Sequence, residues 1–245
     1  GEGAPLRPFL IPPAGLETRA LAEAELLVLA DPGPLGARAV EAILQFLARG
    51  GGVMIALGPR TDPVDLQPLL SALEPAAIAL EDSRNAENPF ARLRIAMPEH
   101  PALHFFRDPR WQPLLTEVPF KEWRPIRILD ADRATALLWF SRDDGAADEG
   151  AALVEEHIGP GRLAWLAAAP CATWNRMEEV TSGTLALLYD LLFHLAPPPT
   201  LAVNLEVGAP FTVMLPSPPA EIVLRDPEGA RFPITPSLEA ESGGS

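Results

Sequence analysis

Two short apolar runs, separated by one helix-length segment, constrain this chain more than any other feature. Leu26-Leu27-Val28-Leu29-Ala30 is apolar throughout, as expected of a parallel strand covered on both faces at a sheet centre. It stops at Asp31-Pro32-Gly33-Pro34, a strong breaker. Val40, Ile43, Leu44 and Leu47 then recur at i, i+3, i+4 and i+7, one face of a helix that Gly50-Gly51-Gly52 terminates. Val53-Met54-Ile55-Ala56-Leu57 is a second buried strand, closed by Gly58-Pro59. A right-handed crossover lays the two strands side by side and parallel, with the helix across one face. The unit predicts an α/β fold with a mostly parallel sheet and flanking helices.

The rest of the chain extends that plan. Asp62-Pro63-Val64-Asp65 has the pattern of a helix start, with Asp62 as N-cap, proline in the first turn and Leu66, Leu69, Leu70 and Leu73 to follow. From Pro75 to about Lys121 the periodicity weakens, and the segment reads as an irregular excursion with short elements. Ala136 to Phe140 is a strand, followed by a polar loop from Ser141 to Gly150. Ala152 to Ile158 and Arg162 to Ala167 flank Gly159-Pro160-Gly161 and predict a hairpin. Ser182 to Ala196 is a helix apolar on most of its circumference, including Leu185, Leu188, Tyr189 and Leu192, and is expected to be buried. Pro197-Pro198-Pro199 opens a linker over 197–200. A β-rich segment over 201–238 follows, too short for a full β-sandwich. Its expected strands are Val203–Val207, Phe211–Leu215, Glu221–Arg225 and Arg231–Ile234, the last two around an Asp226–Gly229 turn; 239–245 reads as a tail.

Composition narrows the function classes. The chain has 245 residues and 29 prolines, several of them paired, which favours fixed turns over a helical bundle. Its formal charge is −14, with 33 acids against 19 bases, the wrong sign for a phosphate backbone or an anionic lipid surface. One cysteine excludes an internal disulfide and a cysteine-rich zinc site. No stretch reaches the roughly 20 apolar residues that span a bilayer, and Gly1 to Arg7 lacks a signal-peptide pattern.

Catalytic patterns are sparse. An amidotransferase or hydrolase of this fold class needs a nucleophile on a sharp strand-to-helix turn, but Gly58-Pro59-Arg60 stands there, and Thr61 lies beside the expected N-cap. Cys171, in Ala169-Pro170-Cys171-Ala172-Thr173-Trp174-Asn175, follows a strand end but has no glycine elbow and no neighbouring histidine; it is a weak catalytic alternative. His100 and His104 are four apart with Pro101 between, a poor ligand pair; His100-Pro101 reads as a turn start and His104 as packing beside Phe105 and Phe106. Glu155 and Glu156 are adjacent in a strand and so point to opposite faces. No cofactor or metal is expected. The loops Gly58–Asp62 and Pro170–Asn175 leave the carboxyl ends of two strands, where α/β clefts form. Arg60, Asp62, Trp174 and Asn175 are therefore the candidate binding surface, against the plainer reading that Arg60 and Asp62 cap their own turn and Trp174 fills the core.

Several segments together resemble a family of bacterial membrane-anchored proteins with a BatA-like amino-terminal region, often a von Willebrand factor A-like domain, and a class I glutamine-amidotransferase-like domain. They are Ala24–Ala30 with Pro34-Leu35, Leu44–Gly58 with Arg60 and Asp62, Glu99-His100-Pro101-Ala102, Ala152–Glu155, Gly159–Trp165 and Trp174-Asn175. Similar strand and glycine patterns occur in ThuA-like trehalose-utilisation relatives. The resemblance spans about Leu6 to Ala196 and implies flavodoxin-like layering in a domain over 1–196. It also implies loss of amidotransferase activity, protein partners within a membrane-associated assembly, and an extracytoplasmic (periplasmic) position tethered by helices outside this segment. The usual first strand and helix are missing before Leu6 and the β segment is short, so a piece of a longer protein is expected. The alternatives are a hydrolase or ThuA-like sugar-processing enzyme using Cys171 or strand-end acids, a small-ligand sensor using the same cleft, and a cytoplasmic location.

Overall fold

The computed structural model describes residues 7–12, 15–16, 21–22, 24–86, 90–142, 149–196, 222–225 and 231–234. The chain divides into two units, residues 1–200 and 201–245. The first opens with β1 (Leu26–Ala30), α1 (Ala37–Ala48), β2 (Gly52–Ala56) and α2 (Pro63–Ala72). Short strands β3 (Ile78–Leu80), β4 (Arg84–Asn85) and β5 (Arg92–Ile95) follow, then a 3-10 helix at Pro101–Arg107 and α3 (Pro113–Thr116). The unit continues through β6 (Glu122–Trp123), β7 (Ile126–Ile128), β8 (Ala134–Ser141), β9 (Ala151–Ile158) and β10 (Gly161–Leu166) to α4 (Thr181–Leu195).

The expected crossover unit is present. β1 and β2 are adjacent and parallel, with Val28 opposite Met54 and Leu29 opposite Ile55. β10 lies parallel to β2 on its other side. Eight strands form one sheet in the order β1-β2-β10-β9-β7-β3, with β8 also on β9 and β5 on β8. The sheet is mixed: β1, β2 and β10 are parallel, and β9, β8, β7, β5 and β3 join through antiparallel pairings. The antiparallel part begins with the expected β9–β10 hairpin, since a two-residue connection reverses the chain where a crossover would have kept it parallel.

Two glycines set the layers. Gly52 pairs with Arg162 while Gly161 adjoins it, so the two point to opposite faces. A Cβ on Gly161 would run into the Leu47 carbonyl of α1, and one on Gly52 into the Leu195 carbonyl of α4. α1 therefore covers one face of the sheet and α4 the other, each at close range. α1 buries Val40, Ile43, Phe46 and Leu47. Asp62 caps α2 by accepting from the Val64 N–H at 2.9 Å, and Leu66, Leu69, Leu70 and Leu73 are buried as the spacing requires.

Two burial expectations need correction. β1 lies at the edge of the sheet among the described residues, not at its centre: Leu27 is buried but Val28 is 42% exposed. Its all-apolar run has the composition of a central strand, but it is paired on one side only. α4 is half buried. Gly183, Thr184, Leu187, Leu191 and Leu195 face the domain, whereas Leu185, Tyr189 and Phe193 are 48%, 46% and 50% exposed. A helix on the outer face of one sheet can cover only one of its own sides.

In the second unit, β11 (Ile222–Arg225) and β12 (Arg231–Ile234) form an antiparallel pair with Ile222 opposite Ile234. The expected strands Val203–Val207 and Phe211–Leu215, the Asp226–Gly229 turn, the 197–200 linker and the 239–245 tail lie outside the described residues.

Candidate functional site

The parallel strands direct two loops to one edge of the sheet, since β2 and β10 end together at Ala56 and Leu166. At the β2 exit the chain is fastened by Asp31, at the end of β1. Asp31 has φ 49°, a left-handed conformation that aspartate adopts more readily than most residues. Its Oδ1 accepts from the Arg60 N–H at 2.9 Å, the Thr61 N–H at 3.0 Å and the Thr61 hydroxyl at 3.0 Å, and its Oδ2 from Arg60 Nε at 2.9 Å. The Gly58 N–H donates to Thr61 Oγ1 at 3.2 Å. A Cβ at Gly58 would stand 2.5 Å from Asp31 Cγ. The turn that would carry an elbow nucleophile is therefore filled by a carboxylate from the neighbouring strand, whose acceptor positions are used within the turn.

The four residues of the candidate binding surface separate by burial. Arg60 and Asp62 are exposed, the first ion-paired with Asp31 and the second capping α2. Trp174 is 3% and Asn175 0% exposed. Asn175 Nδ2 donates to the Ala169 carbonyl at 2.9 Å, and its Oδ1 accepts from the Met177 N–H at 3.1 Å, which ties the loop after β10 to the strand end. The two loops thus share an edge, but of the four candidate residues only Arg60 and Asp62 offer exposed side chains there. Cys171 is partly exposed, and its sulfur lies 3.5 Å from the Thr173 hydroxyl rather than beside a histidine.

A second constellation forms on the α4 face of the sheet, toward the amino ends of β2 and β10. His100 is the N-cap of the 3-10 helix, Glu155 sits within β9 and His194 is in the last turn of α4. Glu155 is 3% exposed; its Oε2 is 3.1 Å from His100 Nε2 and its Oε1 2.7 Å from His194 Nε2. The imidazoles meet edge to face, centroids 4.9 Å apart. His100 Nδ1 accepts the Ala102 N–H at 3.3 Å. Arg162 Nη1 donates to the His194 carbonyl at 2.6 Å and lies 3.2 and 3.4 Å from the two ring nitrogens of His194. Burial pushes the Glu155 carboxyl up, but the hydrogen bonds from His100 and His194 outweigh it and hold the group well below the usual carboxylate range. Glu156 points to the opposite face, as strand alternation requires, and accepts from Trp165 Nε1 at 2.6 Å; burial pushes its carboxyl up.

Sequence reasoning reached His100 as the start of a turn, which its N-cap position agrees with, and as half of a poor ligand pair with His104, which is exposed rather than packed beside Phe105 and Phe106. It missed the meeting of His100, Glu155 and His194, which lie far apart in the chain. One signal was available: two acids within an otherwise apolar strand need partners if that strand is buried on both faces. Asp31 was read only as part of a breaker, and nothing local reveals that it folds back over Gly58.

No protein-family model matches the sequence, and no curated protein matches it. Among solved structures, the chain is similar to cytoplasmic protein STM3548 from Salmonella typhimurium, at TM-score 0.57 and 15% identity, covering 77% of each chain. It is also similar to cytoplasmic protein STM1381 from Salmonella typhimurium LT2, at TM-score 0.56 and 13% identity, over 74% of this chain and 76% of that one. These two share the α/β fold, and at such identity the likeness extends no further than the fold. The neighbours also include a ThuA-like protein from Parabacteroides merdae, at TM-score 0.44 and 14% identity over 71% of each chain.

Proposed function

We propose that the first unit is an amidotransferase-like, ThuA-like domain that has no catalytic role and serves as a binding or scaffolding module of a bacterial membrane-anchored protein on its extracytoplasmic face. The observation that carries this reading is the occupied elbow: Asp31 lies where the side chain of residue 58 would stand, so no nucleophile fits without displacing it. The partner this reading commits to is an apolar helical segment of another protein in the same assembly. Leu185, Tyr189 and Phe193, at i, i+4 and i+8, form one exposed stripe along two turns of α4, a shape suited to a helix laid alongside. Tyr189 and Phe193 stack at 6.0 Å. Phe105 joins the same side, because its N–H donates to the Asp190 carboxylate at 2.6 Å, and Trp111 packs on Phe105 at 5.5 Å.

The test sizes the full-length protein after mild detergent extraction. The expected result is a complex containing a second protein, from which the Leu185→Glu, Tyr189→Glu double variant dissociates while keeping its circular dichroism. A complex unchanged by the double variant, or one holding only copies of this chain, overturns the reading.

A further inference from the structure

We propose that His100, Glu155 and His194 bind one divalent first-row metal ion of the zinc class, which fastens the 3-10 helix and α4 to the sheet. The inference is independent of the docking reading. Two imidazoles and one carboxylate are the donor set that suits Zn²⁺ and its neighbours, with a remaining position for water. The three ligand atoms lie within 4.8 Å of one another, close enough to converge on one ion. They come from three separate elements, so the convergence is tertiary rather than an accident of local spacing.

The setting gives a reason for the ion. A carboxyl group on a buried sheet face is costly to desolvate unless it is strongly compensated. The histidines supply two hydrogen bonds, while Arg162 donates to the His194 carbonyl. A dication between the imidazoles compensates the carboxylate directly. Side-chain exposure of 16% for His100 and 10% for His194 leaves the cluster enclosed yet reachable from solvent. Loading has a defined local requirement: each histidine presents a lone pair, not a proton, at Nε2. For His100 the proton then moves to Nδ1, and the bond given up is the 3.3 Å contact from the Ala102 N–H, long for a hydrogen bond.

The experiment uses the untagged chain, stripped with chelator and titrated with Zn²⁺ by calorimetry and with Co²⁺ by visible absorption. One equivalent per chain is expected, with a ligand-field spectrum of a four- or five-coordinate Co²⁺ and a higher melting temperature with Zn²⁺. His100→Ala and His194→Ala, each checked for folding by circular dichroism, should weaken binding by more than about tenfold. His104→Ala and His157→Ala should bind as the wild type does. Absence of one-equivalent binding to the wild type overturns the proposal and leaves a metal-free hydrogen-bonded triad, whether or not the variants fold. Binding that survives both His100→Ala and His194→Ala places the ion elsewhere and overturns it equally.

Discussion

Introducing a methyl group at Gly58 tests how the turn after β2 is held. The Cβ of Gly58→Ala would stand 2.5 Å from Asp31 Cγ and 2.6 Å from its Oδ1, against 3.4–4 Å for ordinary contact. Overpacking of this kind costs about 1–3 kcal/mol. Moving Asp31 aside also weakens its bonds to the Arg60 N–H, the Thr61 N–H and the Thr61 hydroxyl, at about 1 kcal/mol each. The ion pair with Arg60, whose side chain is 78% exposed, adds about 0–1 kcal/mol. With those bonds weakened rather than lost, Gly58→Ala alone should lower stability by about 2–4 kcal/mol. Asp31→Gly loses the same bonds but removes the obstacle, and glycine tolerates φ 49°. In that background Gly58→Ala should cost under about 1 kcal/mol, which leaves a coupling of at least about 1 kcal/mol. Urea unfolding followed by tryptophan fluorescence measures the cycle, because all five tryptophans precede residue 197 and report the first unit. Additive effects would refute the claim that Asp31 fills the elbow.

Other substitutions probe the layers and the remaining polar groups. Gly52→Ala drives a Cβ into the Leu195 carbonyl, backbone that cannot rotate away, and should cost about 3 kcal/mol by thermal melting; a neutral result would place α4 farther from the sheet. Glu156→Gln keeps an acceptor for Trp165 Nε1 and removes a carboxyl whose charged form burial disfavours, so stability at neutral pH should hold or rise; a loss above about 1 kcal/mol would show the carboxyl itself to be stabilising. Cys171→Ala should change stability by under about 1 kcal/mol and leave glutamine hydrolysis as it is in the wild type; an activity that disappears with the thiol would restore the enzyme reading.

The parts of the fold that are legible in the sequence are those specified locally. The spacing of Val40, Ile43, Leu44 and Leu47, the glycine stop after them, the Asp62-Pro63 helix start and the short turn between β9 and β10 each fix an element through nearby residues. Edge and centre are not specified locally. Leu26–Ala30 has the composition of a central strand, and only its pairing shows that it lies at the edge. The three-residue strands β3 and β7 are too short to carry a period and are held by their antiparallel partners. α4 is apolar on most of its circumference, so its sequence does not say which apolar side faces water. The His100–Glu155–His194 cluster depends on which face of β9 meets the end of α4, a tertiary fact. The carboxyl-edge loops were legible as neighbours, and the plainer reading that Trp174 fills the core agrees with its burial; the burial of Asn175 was not legible, because it depends on the strand end beneath it.

Site-specific photo-crosslinking in the full-length protein within intact cells tests the central claim, a domain that docks through α4, most directly. A photoreactive residue at Tyr189 and another at Arg60, in separate preparations, sample the apolar stripe and the carboxyl edge. The account predicts that one protein partner crosslinks at Tyr189, with no more than background at Arg60. Crosslinking confined to Arg60, or equal background at both positions, contradicts it.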